Sequence, residues 1–256
     1  MKRHEDGSAG DVDYRQVGGT YAAYRRPDSR IAAVIEQALG SAKTVLNVGA
    51  GAGAYEPTGR AVAAVEPSAS MRAQRGPSLP AAIDAAAEAL PFADDSFDAA
   101  MTTFSVHQWR DLDAGLAEMR RVARGVVLVL TCDPERVERF WLGEYAPEVL
   151  AVEARRYPAI SRISAALGAN SDVRPVPIPL DCTDGFQEAY YGRPEMFLRA
   201  DARKACSAWS FVEPAVHARM EARLHEDLAR GRWDERHGRL RTQPTYDGSL
   251  QLIVGR

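Results

Sequence analysis

Three glycines at alternate positions, Gly49, Gly51 and Gly53, follow the apolar run Val45-Leu46-Asn47-Val48. The run reads as a short buried strand, and the glycines let the backbone turn sharply and come close to a ligand. Nineteen residues after Asn47, an apolar strand over residues 61–65 ends in an acid, Glu66. A glycine loop and an acid at the carboxyl ends of adjacent strands form a nucleoside site, in which the carboxylate takes the ribose hydroxyls. Gly49, Gly51 and Ala54 also satisfy the looser dinucleotide pattern G-x-G-x-x-A, so this stretch by itself admits a nicotinamide ligand as well.

The next motif separates the two. Ala87-Glu88-Ala89-Leu90-Pro91-Phe92-Ala93-Asp94-Asp95-Ser96-Phe97-Asp98 precedes another apolar strand. It resembles the A-E-x-L-P-F-x-D-x-S-F-D segment of class I S-adenosylmethionine-dependent methyltransferases, in their small-molecule (type 11-like) branch. The likeness runs over residues 14–131. It implies an α/β fold, a Rossmann-like, doubly wound, mostly parallel seven-stranded sheet with a helical cap inserted before the last strand. It also implies S-adenosylmethionine as cofactor and S-adenosylhomocysteine as product.

The same resemblance assigns roles. Gly49, Ala50, Gly51 and Gly53 hold the cofactor against backbone, and Glu66 is the ribose ligand. Pro67 and Met71 pack on the adenine, whose edge meets the backbone near Ala86, Ala87 and Glu88; Glu88 also reads as a support for its loop. Thr103, Phe104 and Ser105, after the fourth strand, face the transferable methyl. Tyr21 and Arg26 (or Arg25) reach the cofactor from an amino-terminal segment. Two positions depart from the family: Asn47 and Ala86 stand where relatives carry aspartates, the second of which accepts from the adenine amino group. Asn47 is still expected to bind the cofactor, its amide hydrogen-bonding through water or backbone to the ammonium without offering a charge.

Methyl transfer from a sulfonium is an in-line displacement that needs alignment, exclusion of water and sometimes a proton acceptor, but no metal. His107 has the ordinary pKa of a general base near neutrality and equally suits a structural bond to a backbone carbonyl. Trp109 reads as a pocket wall. Tyr24, Tyr191 and Trp209 are candidates to line an acceptor pocket, offering flat apolar walls with a polar tip. His217, His225 and His237 lack ligand spacing, so no metal site is expected. The signature Asp or Asn followed by Pro-Pro-Tyr or Pro-Pro-Phe is missing, which argues against adenine or glutamine nitrogen as acceptor.

The elements that must position these residues follow a simple order. A chain of 256 residues, 46% apolar, suffices for one α/β domain with a cap. Residues 1–27 are expected to form a flexible lid and residues 28–180 the cofactor-binding core. Residues 181–245 should form the cap and residues 246–256 the last strand. Asp28 caps a helix with Ile31, Val34, Ile35, Ala38 and Leu39 on one face, and Gly40 ends it. Only eight residues separate Gly53 from Val62, so the first crossover helix should shrink to about a turn. Further strands are expected near residues 81–84, 98–104, 125–131, 174–179 and 249–254.

A net charge of −3 with dispersed basic residues excludes a global pull toward nucleic acid or anionic membrane. Cys132, Cys182 and Cys206 lack metal or redox spacing, as suits free thiols in a reducing cytosol. No run reaches the roughly eighteen apolar residues of a membrane helix, and residues 1–6 hold no signal-peptide core. The expected protein is cytoplasmic, a monomer or homodimer, methylating a small, partly apolar, secondary-metabolite-like acceptor at oxygen, nitrogen or carbon. Its rivals are an S-adenosylmethionine-binding regulator or partner protein without methylation, a nicotinamide oxidoreductase, and a protein using the sulfonium charge otherwise.

Overall fold

The structure, a computed structural model, describes residues 23–256. Helix α1 (Ser29–Leu39) begins where Asp28 accepts the Arg30 amide and ends at Gly40, with φ of 55°. It buries Ile31, Ile35 and Leu39, the stripe its spacing predicts. Then come β1 (Thr44–Val48), β2 (Ala61–Val65), α2 (Ala69–Arg72), β3 (Phe97–Thr103), α3 (Leu112–Val122) and β4 (Ala123–Cys132). Short helices α4 (Pro134–Val137), α5 (Pro147–Arg156) and α6 (Ile160–Leu167) lead to β5 (Asp172–Pro175) and β6 (Ile178–Pro179). The insert contains α7 (Ala200–Lys204), α8 (Pro214–Ala229) and α9 (Arg232–His237), and the chain closes with β7 (Thr245–Tyr246) and β8 (Leu250–Gly255).

The main sheet has six strands in the order β2-β1-β3-β4-β8-β5. Neighbours among β1 to β4 are parallel, and β8 runs antiparallel to β4 and β5. Alternation along the strands splits the core. Val45, Met101 and Leu128 join α1 and the cap on one face, whereas Leu46, Val48, Val127 and Val129 pack on α3 and α6 on the other.

Three local expectations change. Among the described residues the sheet has six strands rather than seven, because the stretch at residues 81–84 makes only a single bridge, Val65 to Ile83. The first crossover, residues 49–60, forms turns and no helix at all. The edge strand ends at Pro175, and residues 178–179 pair with β7 in a separate ribbon. Prolines without an N–H cannot extend a ladder, so the strand divides where they cluster.

The cap is an aromatic core that also recruits the segment after β4. Trp141 packs edge-on against Phe197 and Trp233, with centroids 5.5 and 5.3 Å apart, and donates to Tyr191 O at 2.9 Å.

Candidate active site

The carboxyl ends of β1, β2 and β3 meet at a cavity of about 290 Å³. Its glycine-rich side has Gly49, Gly51 and Gly53 at φ of 67°, 52° and 97°, the left-handed region that favours glycine. Space makes the same demand. A Cβ on Gly49 would lie 1.9 Å from Ser105 Oγ, and one on Gly53 would lie 2.1 Å from Leu79 Cδ1.

Glu66 joins two of the strand ends. Its Oε2 accepts the Gly51 amide and its Oε1 the Ser68 amide, each at 2.8 Å. Burial raises its carboxyl above the usual range, against the pull of those amides and of Arg72 and Arg75. A carboxylate has about four acceptor sites, so two amides leave room for hydroxyl donors from the cavity that Glu66 lines. Asn47 lies deeper and off the cavity wall; its Nδ2 donates to Glu56 Oε1 at 3.2 Å, and its buried Oδ1 has no partner.

Most of the other residues singled out by sequence converge here. Ala50, Pro67, Met71, Ala86 and Ala87 line the cavity, and Arg26 reaches its rim. Glu88 lines it while its Oε1 accepts the Arg110 and Asp111 amides at 2.6 and 3.0 Å, a support for the loop after β3. Thr103, Phe104 and Ser105 line it from the end of β3, and Trp109 donates to Ser105 Oγ at 3.0 Å. Phe104 has φ of 51°, uncommon for a residue with a side chain. Its ring lies between Phe186, with centroids 5.3 Å apart, and the Arg25 guanidinium, 5.2 Å from the ring centre.

Several candidates sit elsewhere. His107 is off this cavity: its ring lies 4.7 Å from that of Tyr157 and faces a second, polar cleft. Burial, then Arg156 and Arg25, hold its imidazole well below the ordinary value, so it is neutral at neutral pH. Tyr191 and Trp209 do not line the cavity either. Tyr191 is fully buried, stacked on Tyr246 and donating to Gln243 O at 2.6 Å, and Trp209 donates to Gln187 Oε1 at 2.8 Å. Both polar tips are satisfied inside the cap, which makes these rings its packing rather than an exposed wall. Tyr24 faces the cap, its carbonyl accepting the Gly185 amide at 2.7 Å. Tyr21 lies outside the described residues.

Tyr55, Gln74, Gln108 and Asp184 line the cavity without having been singled out by sequence. Asp184 Oδ1 accepts from Arg25 Nε at 2.6 Å, and its Oδ2 accepts from the Tyr55 hydroxyl at 2.9 Å. Tyr55 and Asp184 are 129 residues apart and belong to no local pattern. Among the described residues no group of three His, Cys, Asp or Glu side chains could hold a metal ion. The three cysteines are free and buried, and no described helix is long and apolar enough to cross a membrane.

Comparison with known proteins decides between the two nucleotide readings. The family described as "Methyltransferase domain" matches residues 46–129, which hold the glycine loop, Glu66 and the β3 end. These residues form a class I S-adenosylmethionine-dependent methyltransferase domain. The cofactor of this methyltransferase domain is S-adenosylmethionine, and the side-chain-free surface of the glycine loop beside the Glu66 carboxylate fits its nucleoside and amino-acid parts.

The fold likeness extends well past the domain. A protein of Anabaena variabilis, assigned as a methyltransferase from an antibiotic biosynthesis pathway, superposes with a TM-score of 0.84 at 28% identity, covering 91% of this chain and 99% of its own. An S-adenosylmethionine-dependent methyltransferase of Thermotoga maritima shares the fold with a TM-score of 0.52 at 16% identity, over 94% and 91% of the two chains. The uncharacterized protein YafE of Escherichia coli K12 is 37% identical over 60 residues, 22% of this chain. That match spans 29% of the length of the curated relative.

Proposed function

We propose that this protein transfers a methyl group from S-adenosylmethionine to a small, partly apolar acceptor at oxygen, nitrogen or carbon. The observation that carries the reading is the composite wall of the cavity. Arg25, Arg26 and Pro27 from the amino-terminal segment, and Asp184 from the insert, complete a site whose other sides are the strand ends. A site closed by two segments outside the core excludes water and selects a compact molecule over a polymer.

The bound cofactor supplies a methyl group on a positively charged sulfur. The chain's residues do the positioning. Gly49, Ala50, Gly51 and Gly53 offer backbone to the amino-acid part, and Glu66 binds ribose hydroxyls. Pro67, Met71 and the backbone at Ala86 and Ala87 hold adenine, with no carboxylate at position 86. Thr103, Phe104 and Ser105 face the reacting methyl, and Trp109 walls the pocket. His107 lies off this cavity and beside a second cleft, so its role as proton acceptor requires an acceptor that extends to that cleft. Its neutral imidazole has the protonation state a base requires, and its burial makes it a weak one. Residues 28–180 act as the core, residues 181–245 as a cap and residues 246–256 as the last strand; the lid expected over residues 1–27 lies, up to residue 22, outside the described residues. The Anabaena relative's place in antibiotic biosynthesis supports a secondary-metabolite-like acceptor. The dispersed charge supports the absence of a nucleic-acid or anionic-membrane partner, and we place the protein in the cytoplasm as a monomer or homodimer.

A second reading, binding of S-adenosylmethionine without methylation, is favoured by Asn47 and Ala86, which lack carboxylates at two contact positions. Calorimetric titration with S-adenosylmethionine, NAD and NADP tests the cofactor, and methyl transfer to a panel of small phenols, amines and acids tests the activity. Micromolar binding of the sulfonium alone, followed by turnover, is expected. Binding without turnover on any acceptor would select the second reading.

A further inference from the structure

We propose that the buried ion pair Glu56–Arg75 holds the glycine-rich loop in its binding conformation, in place of a first crossover helix. A parallel crossover is usually spanned by a helix, whose first turn fixes the loop ahead of it. Here the twelve residues from Gly49 to Arg60 contain no helix. The loop is nevertheless held in an unusual shape, with positive φ at Gly49, Gly51, Gly53 and Tyr55. Tyr55 is not a glycine, and a side chain persists in that region only where its surroundings over-determine it. Something outside the loop has to fix it.

Arg75 meets that need. Its side chain is 4% exposed and that of Glu56 is 2% exposed. Nη2 donates to Glu56 Oε1 and Oε2 at 2.7 and 2.9 Å, and Nη1 reaches Gly51 O at 3.3 Å. Nε and Nη2 also donate to Pro80 O at 3.0 and 2.8 Å. One planar guanidinium therefore ties the middle of the loop, its far end and the stretch after α2 together. Asn47 Nδ2 fastens Glu56 back to β1 at 3.2 Å. Leu79, beside Pro80, is the side chain that a Cβ on Gly53 would strike.

Neither Glu56 nor Arg75 lines the cavity. They are positioning residues: they set where Gly51 and its neighbours stand, and thereby how well the loop fits a ligand it does not touch through them. Arginine is required for this. A lysine keeps the charge but presents one point donor group in place of a fork that meets three acceptors at fixed angles.

Two variants separate this role from general stabilisation. Glu56→Gln with Arg75→Met removes both charges together, so neither is left buried and unpaired, and deletes every contact the guanidinium makes with the loop. Arg75→Lys retains the ion pair but loses the fork. In the ligand-free protein, amide hydrogen exchange over residues 49–55 should quicken at least about tenfold in the double variant while β3 and β4 keep their protection. The Kd for S-adenosylhomocysteine should rise about ten- to a hundredfold, with the lysine variant in between. Folded variants with unchanged loop exchange and a Kd within about twofold of the parent would overturn the proposal, as would protection lost evenly across the whole sheet. Should the double variant not fold, the lysine variant decides by the same two readouts. If the parent itself does not bind S-adenosylhomocysteine, the cofactor assignment is at fault, and the exchange measurement still judges the brace.

Discussion

Arg25 and Asp184, 159 positions apart in the chain, meet through a 2.6 Å contact between Nε and Oδ1 at the mouth of the cavity. The same carboxylate takes the Tyr55 hydroxyl at 2.9 Å. One acid from the insert thus joins the amino-terminal segment to the end of the glycine loop. Asp184→Ala should remove the acceptor of the buried Tyr55 hydroxyl and one partner of the Arg25 guanidinium, and destabilise the fold by about 1–3 kcal/mol. Because all three residues line the cavity, cofactor affinity should fall as well. Paired thermal unfolding and calorimetry check this; a drop in stability with unchanged affinity would separate the clasp from the site.

Glu66→Gln tests the ribose ligand. The amide retains one acceptor oxygen for the Gly51 or Ser68 amide but not both, and adds a donor where hydroxyls should donate. S-adenosylmethionine affinity is expected to fall at least about tenfold, equivalent to about 1.4 kcal/mol. Calorimetry giving an unchanged Kd would remove Glu66 from the site.

A pH dependence of stability follows from Glu188, which is 5% exposed and whose Oε2 accepts the Ser249 amide and hydroxyl. Burial pushes its carboxyl up to about 7, and burial with the nearby Glu188 pushes Glu153 up to about 8. The folded state holds these protons at pH values where the unfolded chain has released them. Stability should therefore fall as pH rises from about 4.5 through 8, by on the order of 3 kcal/mol for Glu188 alone. Denaturant unfolding at pH 5.5, 7 and 8.5 measures the slope, and Glu188→Gln should flatten it and leave the protein at least as stable at pH 8.5.

His107→Ala should preserve cofactor affinity and lower turnover at least about tenfold for acceptors that lose a proton. Since burial and two arginines keep the imidazole neutral, the rate profile should show no histidine-like step near pH 6.5. A loss of thermal stability in step with the loss of rate would make His107 a packing residue against Tyr157 instead.

Local patterns alone determined the glycine loop, the strand ending in Glu66, the helix capped by Asp28 and the motif before β3. Each is written within about twenty residues, and period and spacing are properties of the chain itself. Departures from the family were equally plain, since Asn47 and Ala86 are simply read. Tertiary structure decided the rest. Whether residues 81–84 join a sheet depends on a neighbour's backbone, and there only Ile83 finds one. Whether Tyr191 and Trp209 face a pocket or a core depends on how the insert folds back, and partners in the cap took both polar tips. The convergence of Arg25, Tyr55 and Asp184 leaves no trace in sequence, because a hydrogen bond across more than a hundred residues is set by the path of the whole chain between them. The Glu56–Arg75 brace has the same origin: the sequence announces a missing helix, and only packing shows what replaced it.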